Sequence, residues 1–137
     1  MENLINLARE IGFAIQNNDE YIEFKMKEQN MQCNKQLQKN IEEFNLKKAD
    51  LNLEMSKSEN DIKKIDKLNK EIGDLYQSII SDKDMKEYNK AKEKFTKVLQ
   101  QVSLIINKSA EGEDPYSISV QEYDSCEGNC SGCSGCR

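Results

Sequence analysis

Apolar residues recur along this chain at the spacing of one helix face, with polar and charged residues between them. Leu4, then Leu7 and Ala8, then Ile11 and Ile15 follow the i, i+3/i+4 spacing, so residues 4–15 are predicted to form an amphipathic helix. The run QNNDEY breaks that pattern. Asn17, with Glu20 three positions later, has the makings of a capping box for a second helix. This helix presents Tyr21, Ile22, Phe24 and Met26 and runs toward Gln32, with a turn or kink expected at Cys33-Asn34. A third segment carries Leu37, Ile41, Phe44, Leu51 and Met55, with Lys48 as one polar interruption in its seam. SKSEND (56–61) ends it, and Ser58 with Asp61 is placed to cap the next helix.

The last two helices have the most regular seams. Ile65, Leu68, Ile72, Leu75 and Ile79 step by threes and fours, and after SDKD (81–84) so do Tyr88, Ala91, Phe95, Val98, Val102 and Ile105. That is heptad spacing, the period of under-wound packed helices. Each run covers roughly 20 residues, about 30 Å of helix. The short break between them predicts a long antiparallel hairpin within an all-α bundle. Narrow seams of this length leave apolar surface over. Leu68, Ile72, Leu75, Ile79, Tyr88, Ala91, Phe95, Val98 and Val102 are therefore expected to line an interface with a second copy or a related chain. A monomeric bundle is the alternative.

Composition narrows the architecture further. Hydrophobic residues make up 36% and charged residues 33% of the 137 positions, below the roughly 45–50% apolar content of a globular domain, so thin seams fit better than a thick core. Two glycines and no proline before residue 107, with Pro115 the single proline of the chain, supply too few turns for a sheet. Residues 1–106 hold 19 acidic and 18 basic side chains. Such a balanced body has no basic stripe for phosphates, and direct nucleic-acid binding is not expected. The N-terminus lacks the basic and long apolar stretches of a signal peptide or membrane span, so a cytoplasmic location is expected. The chain contains no histidine, which removes the commonest general base and every Ser-His or Cys-His arrangement. No phosphate loop or dinucleotide motif is present, so an enzyme is not expected.

The domain plan that follows is a helical domain over 1–108, an acidic linker with little fixed structure over 109–125, and a cysteine-rich tail over 126–137. Cys126, Cys130, Cys133 and Cys136 fall within the closing run CEGNCSGCSGCR, with glycines at 128, 132 and 135. Thiolates are soft, anionic ligands, and glycines let a backbone wrap closely around an ion or cluster. Cys130, Cys133 and Cys136 reproduce the C-x-x-C-x-x-C core of ferredoxin-type motifs, favouring a 4Fe–4S cluster with Cys126 or a partner residue as fourth ligand. Zinc is the alternative metal, although its paired knuckles usually lie farther apart. A redox-sensing thiol pair is a third option in a reducing compartment. Cys33 stands 93 positions from Cys126 and reads as a small buried hydrophobe on a helix.

Three stretches, LAREIGFAIQNNDEYIEF, LQKNIEEF and YNKAKEKFTKVLQQVSLII, resemble in order and separation the YlbF/YmcA proteins, over residues 1–107. The resemblance implies an all-helical fold and an intertwined homodimer or a heterodimer with a family relative. It implies membership of a cytosolic complex with a YaaT-like protein, in which 4Fe–4S clusters and flavin have been associated. That complex adjusts ribonuclease Y on messenger RNA and so affects competence, biofilm formation and sporulation. The resulting expectation is a non-enzymatic regulatory adaptor whose C-terminal cysteines bind a cluster. The rivals are a metal- or cluster-delivery protein with a helical handle and a coiled-coil chaperone similar to prefoldin.

Overall fold

A computed structural model describes residues 1–120, and it is all-helical, with no strand among those residues. Five helices follow in order: α1 (Glu2–Gln16), α2 (Asp19–Cys33), α3 (Lys35–Met55), α4 (Ile62–Ser81) and α5 (Lys83–Ala110). The chain divides into two compact units, Met1–Phe95 and a second that begins at Thr96.

The first unit is organised by the turn at 56–61. There α3 reverses into α4, and the two helices run antiparallel along their length. The Phe44 and Tyr76 rings lie 6.3 Å apart, and Lys47 Nζ donates to Glu71 Oε2 at 2.8 Å. The same antiparallel course continues past the open end of this pair, beyond Asn34 and Asp82. Along α2 and the first half of α5, the Phe24 ring lies 5.6 Å from Tyr88 and 5.5 Å from Phe95, and Tyr21 meets Phe95 edge-on at 5.4 Å. Lys27 Nζ donates to Glu87 Oε2 at 2.9 Å, and Lys94 lies 3.5 Å from Glu23. Within this unit one arm is therefore α2 then α3, and the other is α4 then the first half of α5, up to Phe95. Each arm is broken by a single non-helical residue, Asn34 or Asp82.

The expected hairpin of α4 with α5 is thus replaced by a hairpin of α3 with α4. SDKD supplies no loop. Asp82 alone is extended (φ −63°, ψ 136°), and its Oδ1 accepts from the Asp84 and Met85 amides, so α5 starts at once. An antiparallel helix pair needs about two to five loop residues. Reversal happens instead in SKSEND, where Asp61, rather than Ser58, caps α4 by accepting from the Lys63 and Lys64 amides. The cap of α2 also lies one position beyond the expected one. Asn18 accepts from the Glu20 amide, while Asn17 closes α1.

The core is thin, as the composition implies. Leu37 is fully buried, and Leu68, Ile79 and Ala91 nearly so. Each such large aliphatic side chain is worth about 1.5–3 kcal/mol of transfer free energy. Ile22, Met26 and Met55, expected on the inner seams, are exposed. At the end of α3 the inner position goes to Glu54, whose Oε1 accepts the Asp61 amide (3.1 Å) and whose Oε2 meets Lys57 (2.8 Å) and Lys64 (3.1 Å). The charged clasp closes the turn, and Met55 faces outward as its helical neighbour.

In the second unit, α5 ends in a Schellman motif. Gly112 adopts φ 97°, its amide donates to Ser109 O, and the Glu113 amide donates to Lys108 O. The segment expected to lack fixed structure is ordered as far as it is described. Asp114 accepts from the Tyr116 amide and the Ser117 hydroxyl, and the chain turns back along α5 until Gln101 Nε2 donates to Val120 O at 3.2 Å.

Candidate functional site

The residues expected to face a partner are largely engaged within the chain. Leu68, Ile79 and Ala91 are buried, and Tyr88 and Phe95 pack on α2 rings. Ile72 and Leu75, in the first unit, and Val98 and Val102, in the second, are half-buried. Apolar surface is left over elsewhere. Helix α1 buries no residue at all, although Leu4, Leu7 and Ile11 share one of its faces and Phe13 projects from the opposite side, 64% exposed. In the second unit, Leu99 and Ile106 are exposed on α5. Hydrophobic spacing finds both kinds of helix. It cannot separate a seam filled by the same chain from one left open, because the two have the same period.

Polar pairs hold the first unit in register. Lys57 beside Glu54, then the Asp61 amide and Lys64, hold the Glu54 carboxyl down at about 2. The Lys47 ammonium lowers Glu71, and the Lys27 ammonium lowers Glu87, each chiefly through a direct hydrogen bond. These partners cross between the arms or close the turn. A structural role accounts for them, and no two of these carboxylates share a cleft.

Cys126, Cys130, Cys133 and Cys136 lie outside the described residues. Among the described residues, no group of three or more Cys, Asp or Glu side chains is arranged to hold a metal ion. Cys33 differs from its expected burial. It is the last residue of α2, directly before the break at Asn34, and it is exposed. No described helix is long and apolar enough to cross a membrane.

A family profile described as control of competence regulator ComK, YlbF/YmcA, matches residues 4–110. The chain belongs to the YlbF/YmcA family. No curated protein and no solved structure matches it. The match runs from the first turn of α1 to the last residue of α5, so the YlbF/YmcA domain comprises all five helices. The Schellman turn, the returning segment and the four cysteines follow it. The family is described by its control of a competence regulator, which is consistent with a regulatory role for this chain.

Proposed function

We propose that this YlbF/YmcA protein is a cytoplasmic regulatory adaptor, not an enzyme. It assembles through the apolar face of α1 and the open side of α5, and it carries a soft metal centre on Cys126, Cys130, Cys133 and Cys136. The observation that carries the assembly is α1 itself. A fifteen-residue helix with a regular apolar repeat has no buried residue, and Leu4, Leu7 and Ile11 are exposed; such a face is stabilised by cover from another surface. A second copy or a family relative supplies that cover, giving a homodimer or heterodimer.

The donor chemistry fits a soft metal. Four thiols with interleaved glycines are the ligand set of iron–sulfur and zinc sites, and the chain has no histidine to compete. A 4Fe–4S cluster is the first reading and zinc the alternative. A bound cluster would supply a centre sensitive to iron and oxidants; the chain supplies its ligands and their attachment to the YlbF/YmcA domain. By the family resemblance, the larger assembly includes a YaaT-like protein and acts on ribonuclease Y, tuning RNA processing in competence, biofilm formation or sporulation.

The test is purification without oxygen, with a visible spectrum and iron, sulfide and zinc assays. The full chain is compared with one ending at Ser125. A broad band near about 400 nm with iron and sulfide, lost on truncation, is expected for a cluster. Stoichiometric zinc selects the alternative. Full-length protein that holds no metal, even when mixed with its YaaT-like partner, overturns the proposal.

A further inference from the structure

The cysteines follow the returning segment directly, and its course sets where they begin. After Gly112 the chain does not continue along the axis of α5. Lys108 Nζ binds Glu113 at 2.9 Å, Asp114 makes a turn, and six residues later Val120 O accepts from Gln101 Nε2. The segment thus retreats along the helix from the level of Lys108 to that of Gln101. Ile118 and Val120 are half-buried along the way, whereas Tyr116 is almost fully exposed. From Ala110 back to Gln101 is about 13 Å of helix axis.

The geometry points to a strap, residues 113–120, that fixes the root of the cysteine tail beside the middle of the second half of α5, with Gln101 as its positioning residue. Cys126 is six residues beyond Val120, so it reaches at most about 20 Å from that anchor. Hung instead from Gly112, it would range over up to about 50 Å. As free coils the two tethers would average about 13 Å and about 20 Å. The effective concentration of the thiols near α5 scales as the inverse three-halves power of tether length, so the strap raises it about fourfold. For a partner that completes or reads the metal centre, the tether is therefore counted from Val120 beside Gln101, not from Gly112. That consequence rests on the proposed metal reading. The position of the strap does not.

The experiment measures spin-label distances on the full chain, with its five native cysteines changed to serine and labels at Gln100→Cys and Ser119→Cys, both exposed. A short, narrow distribution is expected. Gln101→Glu preserves shape but has no donor for Val120 O, and it is expected to lengthen the mean by about 10 Å and broaden it. Gln101→Arg retains a long donor and is expected to keep the short distance. A long, broad distribution in the parent, or no change in Gln101→Glu, overturns the strap. Iron and zinc assays on the cysteine-bearing chain are run separately. Absence of metal there defeats the proposed function and leaves the distances to decide the anchor.

Discussion

Asn34 and Asp82 meet where both arms of the hairpin break. Asn34 Oδ1 accepts the Leu37 amide at 3.0 Å and so starts α3, while its Nδ2 reaches Asp82 Oδ2 at 3.3 Å and Asp84 Oδ2 at 2.8 Å. Asp82 Oδ1 in turn accepts the Asp84 amide at 2.9 Å and starts α5. Two caps on opposite arms are joined side chain to side chain, so each interruption supplies the polar partner that the other requires.

Replacing Asn34 tests that joint. Asn34→Ala loses a cap and the cross-arm hydrogen bonds and is expected to destabilise the protein by about 1–2 kcal/mol. Asn34→Asp keeps the capping oxygen but sets a third carboxylate beside Asp82 and Asp84. It is expected to be less stable than the parent at neutral pH, with the deficit shrinking on acidification. Urea unfolding at pH 7 and pH 4 measures both; equal stability of all three proteins at pH 7 refutes the joint.

Glu54 predicts an acid-sensitive turn. Its folded value of about 2 lies below the ordinary 4.5, so its stabilisation is complete above the ordinary value and disappears as pH falls toward 2. Glu71 and Glu87, lowered by their lysines, contribute in the same direction. Glu54→Gln is expected to be less stable than the parent at pH 7 and to converge with it near pH 2. Parallel stability curves across that range contradict the assignment.

Leu37 and Met55 belong to one helix and to opposite environments. Leu37 is 0% exposed and Met55 58%. Leu37→Ala is expected to cost about 2–5 kcal/mol through lost burial and the cavity left behind. Met55→Ala is expected to change stability by less than about 0.5 kcal/mol. Denaturant midpoints of the two variants give the comparison directly.

Gly112 ends α5 at positive φ, where a β-carbon clashes with the backbone. Gly112→Ala is expected to cost about 1–2 kcal/mol, and Gly112→Asn less, because asparagine tolerates that region better. Faster amide exchange at Gly112 and Glu113 in the alanine variant is the local readout. Unchanged protection there would rule out the motif.

The α1 face predicts the strength of association. Leu7→Glu or Ile11→Glu removes about 1.5–3 kcal/mol of apolar burial at an interface, or roughly 10- to 100-fold in affinity. Helix content should be unchanged, since Leu7 and Ile11 are exposed on α1. Sedimentation over a concentration series separates the outcomes. A parent protein that is monomeric throughout, alone and with its relatives, removes the role given to this face.

Much of the fold was legible from periodicity. The helix bearing Leu4 to Ile15, the seams through Leu68 and Ala91, and the break at Asn34 all follow from side chains recurring every three or four residues. Pairing was not legible, because heptad spacing on α4 and α5 is equally compatible with packing on each other or on α3 and α2. Loop length decided it, and SDKD looked like a loop only until Asp82 proved to be a cap as well as a break. Glu54 escaped notice because a buried carboxylate has no periodic signature; its lysines at positions 57 and 64 were the available hint. The returning segment was equally hidden, since the Gln101 bond to Val120 O, the Lys108–Glu113 pair and two half-buried aliphatic residues have no periodic signature. Cys126, Cys130, Cys133 and Cys136 stand out by their spacing, and they lie outside the described residues.

Breaks placed at equal height on the two arms constrain how such a chain can change length. One residue inserted into α3 would rotate everything on one side of it by about 100°, parting Asn34 from its alignment with the clasp at Glu54. Adding whole turns to α3 alone would carry Asn34 past Asp82. Growth is tolerated only as matched additions to α3 and α4, or within the bend at 56–61. Natural length variation among relatives sharing this joint should therefore be paired, like rungs added to both rails of a ladder.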